Sequence, residues 1–349
     1  MSAGRITLRR RGLSLRIDLR SVLLCGALLA VALVALVLSV ALGELRVPFA
    51  DAVRSIFGAG NPATDFIVRD LRLPRAVTAL FAGAALGLAG AVFQEVTRNP
   101  LVSPDIVGVS GGASLAAITV IVFTSADGPL AVPLAALVGA LLSGAALFGL
   151  AWQNGVHGYR IVLVGIGLSA LTTAGISYVL TEGRIFEVAE AYVWMVGTVN
   201  GRDWSQVLPL AIACGVLFPL AMVVARRLDV LALGDDLARS LGVDASRIRA
   251  GLLALAVALT GAAVSAAGPI GFVAFMAPHV GRRLVRSSSA QSLLPVAAGC
   301  GAVLVLVADL SARLMFAPTE VPVGLVTSII AAPYFLLLLR RAGRLGAAG

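Results

Sequence analysis

The chain has 349 residues, of which 59% are hydrophobic and 13% charged, with a formal net charge of +9. Soluble domains lie near 45–50% apolar and about 25% charged, so this balance excludes an ordinary soluble protein. All 27 basic residues are arginine, which excludes the lysine-dependent phosphate loop of a standard ATPase.

Apolar runs at about 21–43, 76–94, 106–126, 130–156, 161–181, 207–225, 250–267, 269–281, 291–308 and 321–339 predict about ten membrane spans. The fold class is all-α: one polytopic domain over 21–339, between an N-terminal segment 1–20 and a tail 340–349. The 130–156 run is long enough to tilt and the 269–281 run is short for a crossing. The first apolar stretch, about 23 residues, exceeds the h-region of a secretory signal and is read as a retained span.

Between spans one and two, residues 46–75 place Phe49, Val53 and Phe57 on one apolar face, predicting a short interfacial helix ended by Gly58 and Gly60. Arg69, Arg72 and Arg75 then stand where span two begins. At 99–105, Pro100 and Pro104 prevent a continuous helix, and Asp105 is placed to cap the third span. Gly108-Val109-Ser110-Gly111-Gly112 satisfies the G-x-S-x-G pattern of a nucleophilic serine. That elbow needs a strand-to-helix turn, and His157 and His279 are the only histidines, so the string is read as helix packing.

Residues 181–204 mix charge with Phe186, Tyr192, Trp194 and Trp204, a composition that favours a membrane interface and predicts a short helix there. Residues 228–250 form a second organised loop. Leu231, Asp235 and Arg239 are spaced by four, Leu241-Gly242 gives a helix stop, and Asp244 or Ser246 can cap the turn that follows.

The 32 residues from Ala250 to Gly281 contain no charged side chain, too long a stretch for one span of about 20 residues. Gly268-Pro269 interrupts it, because proline lacks the amide donor and clashes with a continuing helix. The prediction is a span, a sharp break and a shorter second helix. Cys25, Cys214 and Cys300 lie in apolar runs without close spacing and read as small buried hydrophobes. His279 beside Arg282 and Arg283 reads either as a packed neutral imidazole or as a proton relay.

With the N-terminus in the cytoplasm, ten alternating spans place 19 of the 27 arginines inside, with 7 of the 18 acidic residues. The inside face is then net +12 and the outside net −3, which sum to the stated +9. The excess follows the positive-inside rule and does not point to nucleic acid. It predicts both termini in the cytoplasm and the protein in the cytoplasmic (inner) membrane, in contact with lipid.

Five ordered motifs resemble the permease subunits of ATP-binding-cassette importers for iron siderophores and vitamin B12. They are Arg72-Leu73-Pro74-Arg75; Arg98-Asn99-Pro100-Leu101 with Ser103-Pro104-Asp105 and Gly108; Gly234-Asp235-Asp236 through Ser240-Leu241-Gly242-Val243; GPIGFVAFMAPHVGRR from Gly268; and Pro322-Val323-Gly324. Among branches, ferric-enterobactin-type permeases look most similar.

The resemblance implies a ten-helix subunit paired with a second permease, a homologous heterodimer or alternatively a homodimer. It implies two ATP-binding subunits, which hold ATP and magnesium, and a substrate-binding protein outside. No cofactor or catalytic residue is expected in this chain. Arg72, Arg75 and Arg313 are implied at the binding-protein contact, though Asp309 could instead pair with Arg313. Asp235, Asp236, Arg239, Leu241 and Gly242 are implied at the ATPase contact. Asn99, Asp105, Phe272, Phe275 and Met276 are candidates for the path or its gate, with core packing as the alternative for Phe272, Phe275 and Met276.

No His/Cys/Asp/Glu set has metal-ligand spacing, so iron is expected to travel inside a chelator. The expected function is import of a ferric siderophore by alternating access, with vitamin B12 or haem as alternative cargo. An ion-coupled secondary transporter is the rival reading. It needs carboxylates at mid-membrane, whereas Glu95, Asp105, Asp309 and Glu320 fall near span ends.

Overall fold

The computed structural model describes residues 5–10, 13–43, 45, 47–124, 128–153, 155, 157–231, 234, 238, 240, 242, 244–286 and 289–346. An antiparallel hairpin of β1 (Arg5–Arg10) and β2 (Leu13–Asp18) precedes the first span. All other regular structure among the described residues is helical. Asp18 ends the hairpin and caps the first span, its carboxylate accepting from Arg20 N and Ser21 Oγ.

Ten helices match the ten predicted runs. They are α1 (Leu19–Ala41), α4 (Leu73–Thr97), α5 (Val109–Phe123), α6 (Ala131–Ala151), α7 (Gly158–Glu182), α9 (Trp204–Leu231), α10 (Ala245–Ala267), α11 (Val273–Val285), α12 (Ala290–Met315) and α13 (Val323–Gly346). Seven helical stretches, those of α1, α4, α6, α7, α9, α10 and α12, are long and apolar enough to cross a bilayer; α5 and α13 carry shorter apolar windows. The short helices α2 (Phe49–Ile56) and α8 (Ile185–Val196) fall where amphipathic spacing and aromatic residues predict them.

The start of the second span differs from expectation. Helix does not begin near Arg72 but runs on from α3 (Pro62–Asp65) through a wide π-helical stretch, Phe66–Arg72, into α4. Pro74 supplies the reason. It has no amide to donate, and the Leu73 amide reaches back five residues to Val68 O instead of four.

The core is built on α4, α10 and α12, which are mostly buried, whereas α1, α7 and α9 lie at the perimeter. Small residues make the close approach possible. On one stripe of α4, a Cβ at Gly83 would lie 2.3 Å from Gly301 O, at Gly87 2.3 Å from Ala297 O, and at Gly90 1.7 Å from Ala274 O. The first two seat α12 and the third seats α11. The G-x-S-x-G string has the same use: Gly112 meets Gly139 and Ser143 of α6, and Gly111 meets Thr172 of α7.

The predicted break is present. Helix α10 stops at Ala267, Gly268 takes φ +69 and ψ 177, and α11 starts at Val273 behind Phe272 in the left-handed region. The break is tied to two other segments by backbone hydrogen bonds. Thr198 N donates to Ala267 O (2.8 Å) and Gly324 N to Gly197 O (3.1 Å). Thr327 Oγ1 closes the junction by donating to Gly271 O (3.1 Å). The end of α8, the broken span and the start of α13 therefore meet at one junction.

Candidate functional site

Polar chemistry gathers at the two ends of the bundle. At the end that carries α2, α3 and α8, a cleft of about 440 Å³ is lined by Arg72, Arg75, Arg202, Arg313, Asn200 and Glu320 among others. The three arginines expected at a protein contact all line it, and each also has partners within the chain.

Arg75 is buried on the first turn of α4. Its Nε and Nη2 donate to Asp309 on α12 (3.0 and 2.9 Å to Oδ1), and Nη1 donates to Glu320 Oε2 (3.0 Å) and Asn200 Oδ1 (3.0 Å). Nε also reaches Asp309 Oδ2 (3.2 Å), so the guanidinium engages both oxygens of that carboxylate, the pairing its fork of donors favours. Arg72 donates to Val40 O (2.8 Å) and Ala41 O (3.2 Å) at the end of α1, and to Leu45 O (2.6 Å) in the segment that follows. Arg313 donates to Ser39 O and Ser39 Oγ (both 2.7 Å), and its Nε stands 3.7 Å from Asp309 Oδ2. The pairing of Arg313 with Asp309 suggested by helical spacing is thus present, but Asp309 makes its shorter contacts to Arg75.

Arg202, which sequence reading did not single out, lies in the loop between α8 and α9. It makes one described hydrogen bond, from Nε to Thr198 O (3.4 Å). Burial draws its pKa below the ordinary arginine value, with the neighbouring Asp203 charge opposing. Asp203 itself caps α9 by accepting from Ser205 N (2.7 Å).

At the opposite end, a cleft of about 430 Å³ is lined by Gln94, Glu95, Arg98, Asn99, Arg249 and Arg282 among others. Arg282 of α11 donates to Gln94 Oε1 and to Glu95 Oε1 (2.9 Å), and Gln94 Nε2 donates to Phe275 O (3.3 Å). The C-terminal turn of α4 is thereby fixed to the broken span. Arg98 closes α4 in the left-handed conformation and reaches Leu231 O. Asp229 of α9 accepts from Ala290 N and Ser289 Oγ (both 2.7 Å), capping α12 from a different helix.

Of the residues expected at the ATPase contact, Asp235, Asp236, Arg239 and Leu241 lie outside the described residues. Gly242 is described and takes φ +74. Asp244 caps α10 as anticipated, accepting from Ser246 N and Arg247 N (both 3.1 Å).

Among the path candidates, Asn99 holds its own turn by accepting from Leu101 N (3.0 Å). Asp105 does not cap α5 through an amide. Gly108 occupies the N-cap in the left-handed conformation, and Asp105 Oδ1 accepts from Ser110 Oγ (2.6 Å) instead. The first amide, Val109 N, donates to Pro104 O (3.0 Å), and Asp105 holds the serine. Phe275 is buried, stacked on His279 (5.4 Å) and edge-on to Phe335 (5.0 Å). Phe272 and Met276 are half-buried.

What sequence reading missed is long-range pairing: Asp309 and Glu320 to Arg75, Asp229 to α12, and Arg282 to Glu95. These partners are separated by 60 to 245 positions, beyond any local spacing rule. One signal was available: each of these carboxylates and arginines falls at a span end, where a charge needs a partner.

Many apolar helices, a broken span tied to two neighbours and charge confined to the two ends define a polytopic transport permease. The chain matches the model of the FecCD transport family over residues 24–341 and belongs to that family. It is 41% identical to YfhA of Bacillus subtilis, named as a probable siderophore transport system permease protein, over 89% of this chain and 92% of that one. It is 35% identical to the ferric enterobactin transport system permease protein FepG of Escherichia coli, over 93% and 98% of the two chains. A solved structure described as an inward-facing conformation of a metal-chelate type ABC transporter covers 91% of this chain and 98% of its own, with a TM-score of 0.80 and 26% identity. The chain is a multi-pass permease subunit and not an enzyme; ATP hydrolysis in this family lies in separate subunits.

Proposed function

We propose that this permease carries a ferric siderophore across the cytoplasmic membrane by alternating access. The observation that carries the reading is the run of relatives at 35–41% identity named for siderophore, ferric citrate, achromobactin and enterobactin transport. Among the described residues, no group of three or more His, Cys, Asp or Glu side chains is placed to hold a metal ion.

In this reading the end with α2, α3 and α8 faces outward and receives the chelate from a binding protein. Both termini are cytoplasmic, and two ATP-binding subunits dock on the 228–250 loop, with Gly242 at its helix stop. Closure of the ATPases moves α9 and α10 as a lever, and Phe272 and Met276 border the path. A second, homologous permease completes it.

The test is radioiron accumulation in a strain lacking this chain, with iron supplied as a catecholate siderophore or as ferric citrate. Restoration by the chain, abolished by ATP depletion and retained when the proton gradient is collapsed, is expected. Restored uptake of vitamin B12 or haem but not of either iron chelate would overturn the substrate assignment. Uptake that follows the proton gradient alone would overturn the ATP-driven mechanism.

A further inference from the structure

Helix α12 does not cap itself. Its N-cap residue is Ser289, a type that ordinarily bonds the first free amides of its own helix. Here the serine makes no such capping bond. Its hydroxyl donates to Asp229 Oδ2 (2.7 Å), and Ala290 N donates to Asp229 Oδ1 (2.7 Å). Asp229 comes from the last turn of α9, 60 positions earlier in the chain. A second long-range tie meets the same turn: Arg98, at the end of α4, reaches Leu231 O. The last turn of α9 therefore holds one end of each of two central helices, α4 and α12. At the far end of the bundle those two are joined again by Arg75 and Asp309, so they form a pair clamped at both ends. Helix α9 itself lies at the perimeter and leads directly into the 228–250 loop. A cap needed for stability alone could come from Ser289; a cap taken from α9 also links the root of that loop to the core.

We propose that Asp229 is a positioning residue: its two hydrogen bonds to Ser289 and Ala290 are the joint that carries movement of the 228–250 loop into α12. The proposal rests on the reading that ATP-binding subunits dock on that loop. The loop is joined through the chain to α9 and α10, and α12 has no such connection to it. Both bonds at the joint are charge-assisted, about twice as strong as neutral ones, so a displaced α9 draws the start of α12 with it instead of sliding past. The tie of Arg98 to Leu231 O delivers the same displacement to the C-terminal turn of α4, which Arg282 fastens to the broken span.

The experiment uses the importer purified through a tag on this chain, with its ATP-binding subunits, in nanodiscs. Cys25, Cys214 and Cys300 are replaced by alanine, and Gln291→Cys on the first turn of α12 reports through its rate of reaction with a maleimide. Trapping with ATP and vanadate should change that rate by at least about five-fold, the lower end of an allosteric coupling. Asp229→Ala should abolish the response while ATP hydrolysis continues, and should lower the melting temperature. Adding Ser289→Asp to that variant gives α12 a cap of its own. It should restore the melt and leave the nucleotide response absent. Return of the response together with the melt would make Asp229 a cap and nothing more, which overturns the joint. An unresponsive Gln291→Cys in the parent importer overturns it too, as does a response that survives Asp229→Ala. Hydrolysis that falls along with the response would place Asp229 in the docking contact itself, again overturning it. No chelate enters the experiment, so failure here is separable from failure of the siderophore reading, which the radioiron experiment decides.

Discussion

At the scale of single residues, the Arg75–Asp309 pair controls the end of the bundle that carries α8. Both groups are almost fully buried, at 7% and 1% exposure, and they join the first turn of α4 to α12. A buried pair adds little net stability over apolar packing, but losing one partner strands the other charge. Arg75→Gln should therefore cost about 3–5 kcal/mol, as should Asp309→Asn in the same range. Replacing both with leucine should recover most of that loss. Thermal melting of the purified chain in nanodiscs measures all three, and a double variant as unstable as the singles would show that the pair is irreplaceable by packing. The same pair shows where sequence reading stops. Helical spacing offered Asp309 to Arg313, and that contact is present at 3.7 Å, but the short contacts go to a residue 234 positions away. A local rule finds local neighbours; it cannot rank them against a guanidinium brought in by the fold.

At the scale of elements, the helices were legible because each depends on a property of its own segment. Apolar length set the ten spans, Gly268-Pro269 set the break, and four-residue apolar spacing set α2. The π-helical entry to α4 was not legible, since proline at a helix start is ordinary and only the continuous helix behind it makes a wide turn necessary. Glycine-rich stretches announced close packing without saying which glycine meets which helix, and the structure now separates them. A Cβ at Gly90 would sit 1.7 Å from Ala274 O, whereas one at Gly215 on α9 would meet nothing within 4 Å. Backbone on the far side leaves Gly90 no flexible neighbour to yield, so Gly90→Ala should push α11 from α4 and destabilise by about 1–3 kcal/mol. Gly215→Ala should be neutral or stabilising by up to about 1 kcal/mol, as helix propensity dictates. The two melts, run side by side, distinguish interface glycines from lipid-facing ones. Equal effects would mean that propensity, and not approach distance, governs these sites.

At the scale of the whole molecule, the charge pattern and the packing bear on different questions. Packing fixes which helices touch and is indifferent to which end faces the cytoplasm. Orientation follows from the arginines: the expected inside face carries 19 of the 27 and the outside face 8, the asymmetry that sets the direction of insertion. The structure assigns these charges different work at each end. At the α8 end, Arg72, Arg75 and Arg313 are engaged with carbonyls and carboxylates of the chain. At the other end, Arg282 ties α11 to α4 while Arg247 on α10 is largely exposed, as befits a topological anchor. Ala59, beyond α2, and Gln153, after α6, are both exposed and lie at opposite ends. In a chain with Cys25, Cys214 and Cys300 replaced by alanine, Ala59→Cys should react with an impermeant maleimide in intact spheroplasts. Gln153→Cys should react only after permeabilisation. The reverse pattern would invert the bundle, place the arginine-rich face outside, and move the Arg75–Glu320 cleft to the side where the ATPases dock.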